Sequence, residues 1–173
     1  MSPTDADLAD RLRALEGRVH ALEGHAAILD LKSRYGALMD ARYTRSGPKP
    51  QAEIDELADQ LVALFTEEAV WEAGGALGTA AGQAALRERF RRPTLLYSWH
   101  FFVKPEIHVE GDLARGTWDV LAMMTTTEGR ALWMVGVEHD AYRCVDGRWL
   151  HERMRLESRL MAPYERGWGP KED

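Results

Sequence analysis

Cysteine is almost absent. A single Cys144 in 173 residues excludes an internal disulfide and a cysteine-built metal site. Histidine spacings that ligate metals are missing as well, with no HExxH and no His-x-His. Gly74, Gly75, Gly78 and Gly82 match neither GxGxxG nor GxxxxGK[ST], so no phosphate loop is present, and there is no GxSxG nucleophile elbow. Nothing calls for a metal, nucleotide or flavin, and no cofactor is expected. Basic runs stop at the pair Arg91-Arg92 and the net charge is −6, which argues against nucleic acid as a partner. No window reaches 18 uninterrupted apolar residues, so no membrane span is expected. The polar, acidic N-terminus is unlike a signal peptide, which makes the cytoplasm the expected compartment.

What is present is ordinary for a globular protein: 45% hydrophobic and 29% charged residues. A chain of this length buries roughly two-thirds of its extended surface, enough for a core with a pocket in it. Six Trp and seven Met suit either a packed core or an apolar ligand pocket.

The first seven residues are polar and expected to fray. Leu8, Leu12, Leu15, Val19, Leu22, Ala26 and Leu29 then follow spacings of 4,3,4,3,4,3, a heptad seam. The seam reads either as an oligomerisation helix or as an amphipathic helix folded onto its own domain. Residues 1–25 are thus an N-terminal helical extension, residues 26–168 the main domain, and 169–173 a tail. Ile28, Leu31, Tyr35, Leu38 and Met39 form an apolar stripe that predicts a helix over 26–40. Helices are also expected over 54–65 and 83–92, with a short strand beginning at 69–72 between them and a glycine-rich connection after it. From Leu95 the period changes to two, with strands expected over 95–103, 106–109, 114–126, 131–144 and 148–162. Turns at Gly111-Asp112, Glu128-Gly129 and Asp146-Gly147 join them into a meander. Helices first and one strongly bent antiparallel sheet afterwards is an α+β architecture, a cone whose covered inner face offers a ligand cavity.

The candidate chemistry centres on Asp40 and His100. A carboxylate at the end of an apolar helical stripe is costly to bury alone, and His100, among Trp99, Phe101 and Phe102, is a plausible partner. An Asp–His pair is a simple general base. Tyr35, one turn before Asp40, could present its hydroxyl to a substrate carbonyl. Asp119 lies in a strand beside Trp118 and faces either solvent or the pocket. His108 reads as a surface strand residue. His139 and Asp140 are neighbours on a strand, face opposite ways, and are not a metal site. His151, Arg153, Arg155 and Glu157 are expected on one face of the last strand, either a polar pocket wall or a charged outer surface.

Several phrases resemble the SnoaL-like branch of the NTF2-like superfamily. They are ILDLKSRY at 28–35 followed by Asp40, LFTEEAVW at 64–71, HFFVKP at 100–105, GVEHD at 136–140, DGRW at 146–149 and PYERGW at 163–168. The resemblance spans about residues 26–168 and is nearest to cofactor-free lyases such as scytalone dehydratases, bile-acid 7α-dehydratases and lindane dehydrochlorinases. It implies an NTF2-like cone-shaped barrel, often assembled as a trimer, and a homo-oligomer, dimer or trimer, is the expected state. It also implies an Asp–His dyad at Asp40 and His100, assisted by Tyr35. An arginine from the last strand maps onto Arg155 or Arg153. The sequence departs from many relatives at Phe101, where a second histidine is common, and at Glu138, where an aromatic is common. Trp99, Trp118, Asp119, Glu138 and Arg155 are the expected substrate-binding residues. The activity implied is a dehydratase or isomerase acting on a hydrophobic hydroxy-carbonyl small molecule. A polyketide cyclase or a non-catalytic binding module stand as alternatives.

Overall fold

A computed structural model describes residues 4–74 and 78–168 of the protein. Gly75, the expected tail at 169–173 and residues 1–3 of the expected frayed segment lie outside the described residues. One helix, α1 (Asp5–Asp40), runs unbroken across the 25/26 boundary expected from the sequence. Its start is not frayed. Thr4 caps it with its side-chain oxygen on the Asp7 N–H, while the Asp7 carboxylate accepts the Thr4 N–H, a reciprocal capping box.

A small hairpin follows, β1 (Tyr43–Thr44) and β2 (Gly47–Pro48), then α2 (Gln51–Val62). Ile54, Ala58 and Leu61 form the buried face of α2, as its helical spacing requires. The short strand expected at 69–72 is longer, β3 (Phe65–Gly74), and the glycine-rich segment beyond it includes a strand of its own, β4 (Gly78–Ala81). Helix α3 (Gln83–Phe90) buries Leu86 and Phe90 and is tied to α2 by ion pairs of Arg87 with Asp59 and Arg91 with Asp55.

The meander is β5 (Tyr97–Glu110), β6 (Leu113–Thr125), β7 (Ala131–Val145) and β8 (Arg148–Pro163). With β3 and β4 it makes a six-stranded sheet in the order β4-β3-β8-β7-β6-β5. The sheet is mixed, because β3 runs parallel to β8 while the other neighbours are antiparallel. The two strands expected at 95–103 and 106–109 are one strand with a register shift at Lys104-Pro105. Proline cannot continue the ladder there, and Lys104 takes φ 50°. Similar shifts in the β7–β8 pairing bend the sheet around the helices.

The core lies between the concave face and α1, α2 and α3, with Phe65, Phe90, Leu61, Leu86, Trp71 and Trp118 buried in it. Two glycines let α1 approach closely. A Cβ at Gly24 would stand 3.1 Å from Trp149, and one at Gly36 3.1 Å from Phe102. Among the described residues no helix is long and apolar enough to cross a membrane.

Candidate active site

Asp40 closes α1, where a carboxylate opposes the negative end of the helix dipole. It is buried, and both of its oxygens are used by one residue of β5. Oδ1 accepts from Nδ1–H of His100 at 2.6 Å, and Oδ2 accepts the His100 backbone N–H at 3.0 Å. That N–H is available because β5 is the sheet edge, where alternate amides have no strand to bond. The last turn of α1 is also held by Arg42, whose guanidinium donates to the carbonyls of Met39 and Phe90.

With the carboxylate on Nδ1, the proton resides there and Nε2 carries the lone pair. Ser98 Oγ lies 3.4 Å from Nε2, at the long limit of a hydrogen bond. The Phe102 ring stacks on the imidazole, with centroids 6.0 Å apart and planes 4° from parallel. Dyad and ring open onto a cleft of about 310 Å³ between α1 and β5. Trp99, Val103, Trp118, Gly36 and Ala37 complete much of its apolar wall, and Ser33 and Lys32 add polar groups. An apolar cleft with a few converging polar groups fits a small molecule with a functional group at one end.

Behind the cleft lies a polar cluster that the sequence reading did not assemble, although it named Glu138 and Asp140. Lys32 is fully buried and donates to Asp140 at 2.7 Å and to Glu138. Tyr142 donates to the same Asp140 oxygen at 2.7 Å and accepts from Trp118 Nε1 at 2.9 Å. Burial works against the Lys32 charge, but Asp140 and Glu138 outweigh it and hold the ammonium above its ordinary range. Burial likewise pushes the Asp140 carboxyl up, to about 6, with Lys32 opposing the rise and Glu138 adding to it. The His151 ring sits among Tyr35, Phe65 and Tyr142, and burial, then the nearby Lys32 charge, drive it well below its usual pKa. It is a neutral imidazole. Two signals in the sequence point to this cluster. Lys32 falls on the Ile28–Tyr35 stripe, and Glu138, Asp140 and Tyr142 alternate on one strand face.

Of the expected site residues, the fold brings Asp40, His100, Trp99 and Trp118 together around the cleft. Tyr35 does not line it. Its ring is buried behind Phe102, its hydroxyl accepts the Trp71 indole N–H at 3.3 Å, and burial raises its pKa. Glu138 faces inward as the Lys32 partner, not as a cleft wall. Asp119 is on the opposite face, paired with Lys104 at 2.6 Å, because Trp118 takes the inward position of that alternation. Arg155 is exposed on the outer face. In the β7–β8 register Tyr142 pairs with His151 but Ala141 pairs with Arg153, so Glu152 is an extra residue. The bulge inverts the alternation. His151 therefore points inward, whereas Arg153 joins Glu72 on the outside. The expected shared face of His151 with the two arginines is corrected accordingly. Among the described residues no group of three or more His, Cys, Asp or Glu could hold a metal ion.

A family model described as a SnoaL-like domain matches residues 20–155. The chain belongs to the SnoaL-like family. Its fold is shared with a type 2 hexachlorocyclohexane dehydrochlorinase LinA at 21% identity, covering 86% of this chain and 95% of that one with a TM-score of 0.70. A candidate scytalone dehydratase from Novosphingobium aromaticivorans matches at 21% identity over 87% and 97% of the two chains, TM-score 0.68. An NTF2-like protein from the same species, described as having a cystatin-like fold, matches at 24% over 90% of each chain, TM-score 0.60. At these identities the likeness establishes the NTF2-like α+β cone, and function rests on the site itself. No curated protein matches the sequence.

Proposed function

We propose that this SnoaL-like protein is a cofactor-independent lyase, a dehydratase or isomerase acting on a hydrophobic hydroxy-carbonyl small molecule. The observation that carries the reading is the 2.6 Å contact of Asp40 Oδ1 with His100 Nδ1 at the wall of an apolar cleft. His100 is the general base. Its Nε2 removes a proton from the carbon next to the substrate carbonyl, and the C–H electrons form an enolate. The enolate collapses to a carbon–carbon double bond as the β-hydroxyl leaves. The imidazolium returns its proton to that hydroxide, giving water. Asp40 orients the ring and stabilises the imidazolium while it exists. Trp99 and Trp118 bind the apolar body of the substrate. The same enolate attacking a second carbonyl would instead give the aldol closure of a polyketide cyclase, and product analysis separates the two.

The test is α-carbon deuterium exchange with a panel of hydrophobic β-hydroxy carbonyl compounds, which reads proton abstraction whatever leaves afterwards. His100→Ala is expected to lower exchange and turnover by about 10²–10⁴. Exchange by the wild type that His100→Ala leaves intact removes the dyad from the reaction. Ligand binding without exchange favours a binding module. We also propose a homo-oligomer, a dimer or trimer, to be read by sedimentation.

A further inference from the structure

The helix α1 carries more than the dyad. Its face toward the domain is set by Gly24, Ile28, Leu31 and Tyr35, all buried. The heptad seam lies on the other side of the same helix. Leu8, Leu12, Leu15, Val19 and Leu22 are 50%, 57%, 53%, 51% and 70% exposed. From Leu8 to Leu22 the seam is therefore not folded back on its own domain, whereas Leu29, its last residue, packs against the core. Five large apolar side chains stand in solvent along one line.

The flanking charges say what covers them. In heptad notation Leu12 and Val19 occupy a, and Leu8, Leu15 and Leu22 occupy d. The g positions are Arg11, Arg18 and His25, and the e positions one heptad on are Glu16, Glu23 and Asp30. In a parallel pair each g residue meets the e residue five positions later in the partner, so Arg11 meets Glu16 and Arg18 meets Glu23. In an antiparallel pair g meets g and e meets e, which would set arginine against arginine and glutamate against glutamate. Among the described residues none of Arg11, Glu16, Arg18 and Glu23 has an ion-pair partner in its own chain, whereas Arg13 is paired with Asp10. Leucine at d with valine at one a position suits two strands. Gly24, in the f position, packs against Trp149 and Val109.

We infer that two copies of this chain associate through a parallel, in-register coiled coil of α1 over residues 8–22. The inference goes beyond the proposed reaction and does not depend on it, since no seam residue belongs to the dyad. Charge reversal in the full chain tests it. Arg18→Glu sets like charges together on both sides of the dimer and is expected to raise the dissociation constant about tenfold. Adding Glu23→Arg recreates the pair in reversed polarity and restores association. Both positions are solvent-exposed, so the fold is retained, as circular dichroism will report. Orientation is read separately, with Leu8→Cys in a Cys144→Ala background. A parallel coil cross-links residue 8 to residue 8 under a glutathione redox buffer, and an antiparallel one holds these ends apart. A chain that stays monomeric at all accessible concentrations overturns the inference. So does association indifferent to Arg18→Glu, or failure of Leu8→Cys to cross-link.

Discussion

His100 owes its orientation to two bonds from a single carboxylate, one to the ring and one to its own backbone amide. Asp40→Asn leaves a group that can still accept from one donor but carries no charge to stabilise an imidazolium. Turnover is expected to fall by about 10²–10⁴ with the fold intact, as kcat and circular dichroism measured together will show. Tyr35 behaves differently. Its hydroxyl is engaged with Trp71 behind Phe102, so Tyr35→Phe should leave kcat within a few-fold of wild type and lower stability by about 1 kcal/mol for the lost hydrogen bond. A collapse of kcat in Tyr35→Phe would put the hydroxyl back in the reaction. Asp119 and Arg155, on the outer face, are expected to tolerate alanine with unchanged KM and stability changes within about 0.5 kcal/mol.

At the scale of elements, the decisive contact is α1 against the sheet. Gly36 sets its distance from β5, since a side chain there would meet Phe102 at 3.1 Å. Gly36→Val should push the helix off the strand, cost about 1–3 kcal/mol by overpacking, and lower kcat by pulling Asp40 from His100. Denaturation and kinetics on one preparation will show whether the two losses travel together. Lys32 joins the same helix to β7 through two buried carboxylates. Lys32→Met strands both and should cost about 3–5 kcal/mol near neutral pH. The cost shrinks on acidification, as the stranded Asp140 carboxyl takes up a proton, and melting curves across pH will reveal that slope.

The whole molecule carries a pH signature from this cluster. The Asp140 carboxyl rises from 3.8 to about 6 on folding, so between those values the native state binds more protons than the unfolded one. This group therefore opposes folding above pH 6, and the opposition is relieved as pH falls toward 4. Relative to Asp140→Asn, which cannot titrate there, the wild type should gain stability when pH is lowered from 7 to 5, by an amount on the order of 1–3 kcal/mol. Urea denaturation of both proteins at the two pH values measures it. A difference that moves the other way would mean that Lys32 keeps Asp140 ionised throughout. The surface carboxylates Asp7, Asp55, Asp59 and Glu128 have pKa values lowered first by side-chain hydrogen bonds, from Thr4, Gln51, Arg87 and Thr127, and pull in the opposite sense. Only the comparison with the variant isolates the buried group.

Local pattern alone determined much of this protein. The 3.6-residue stripe of α1, the period-two strands after Leu95, the glycine turns between them and the spacing of Asp40 from Tyr35 are all properties of short stretches. Side-chain period follows from backbone geometry without reference to the rest of the chain. What the pattern does not contain is sidedness. Alternation places Trp118 and Asp119 on opposite faces but does not say which is inside, and one extra residue at Glu152 inverted the last strand. Nor does it contain distance, and the partners of Lys32 are Glu138 and Asp140, more than a hundred residues away. Only packing α1 against the curved sheet brought Asp40 onto the β5 edge, drew Lys32 inward and left the heptad seam from Leu8 to Leu22 in solvent. Those outcomes depend on where the chain's other elements sit, because burial and hydrogen bonding are satisfied jointly, across the whole core.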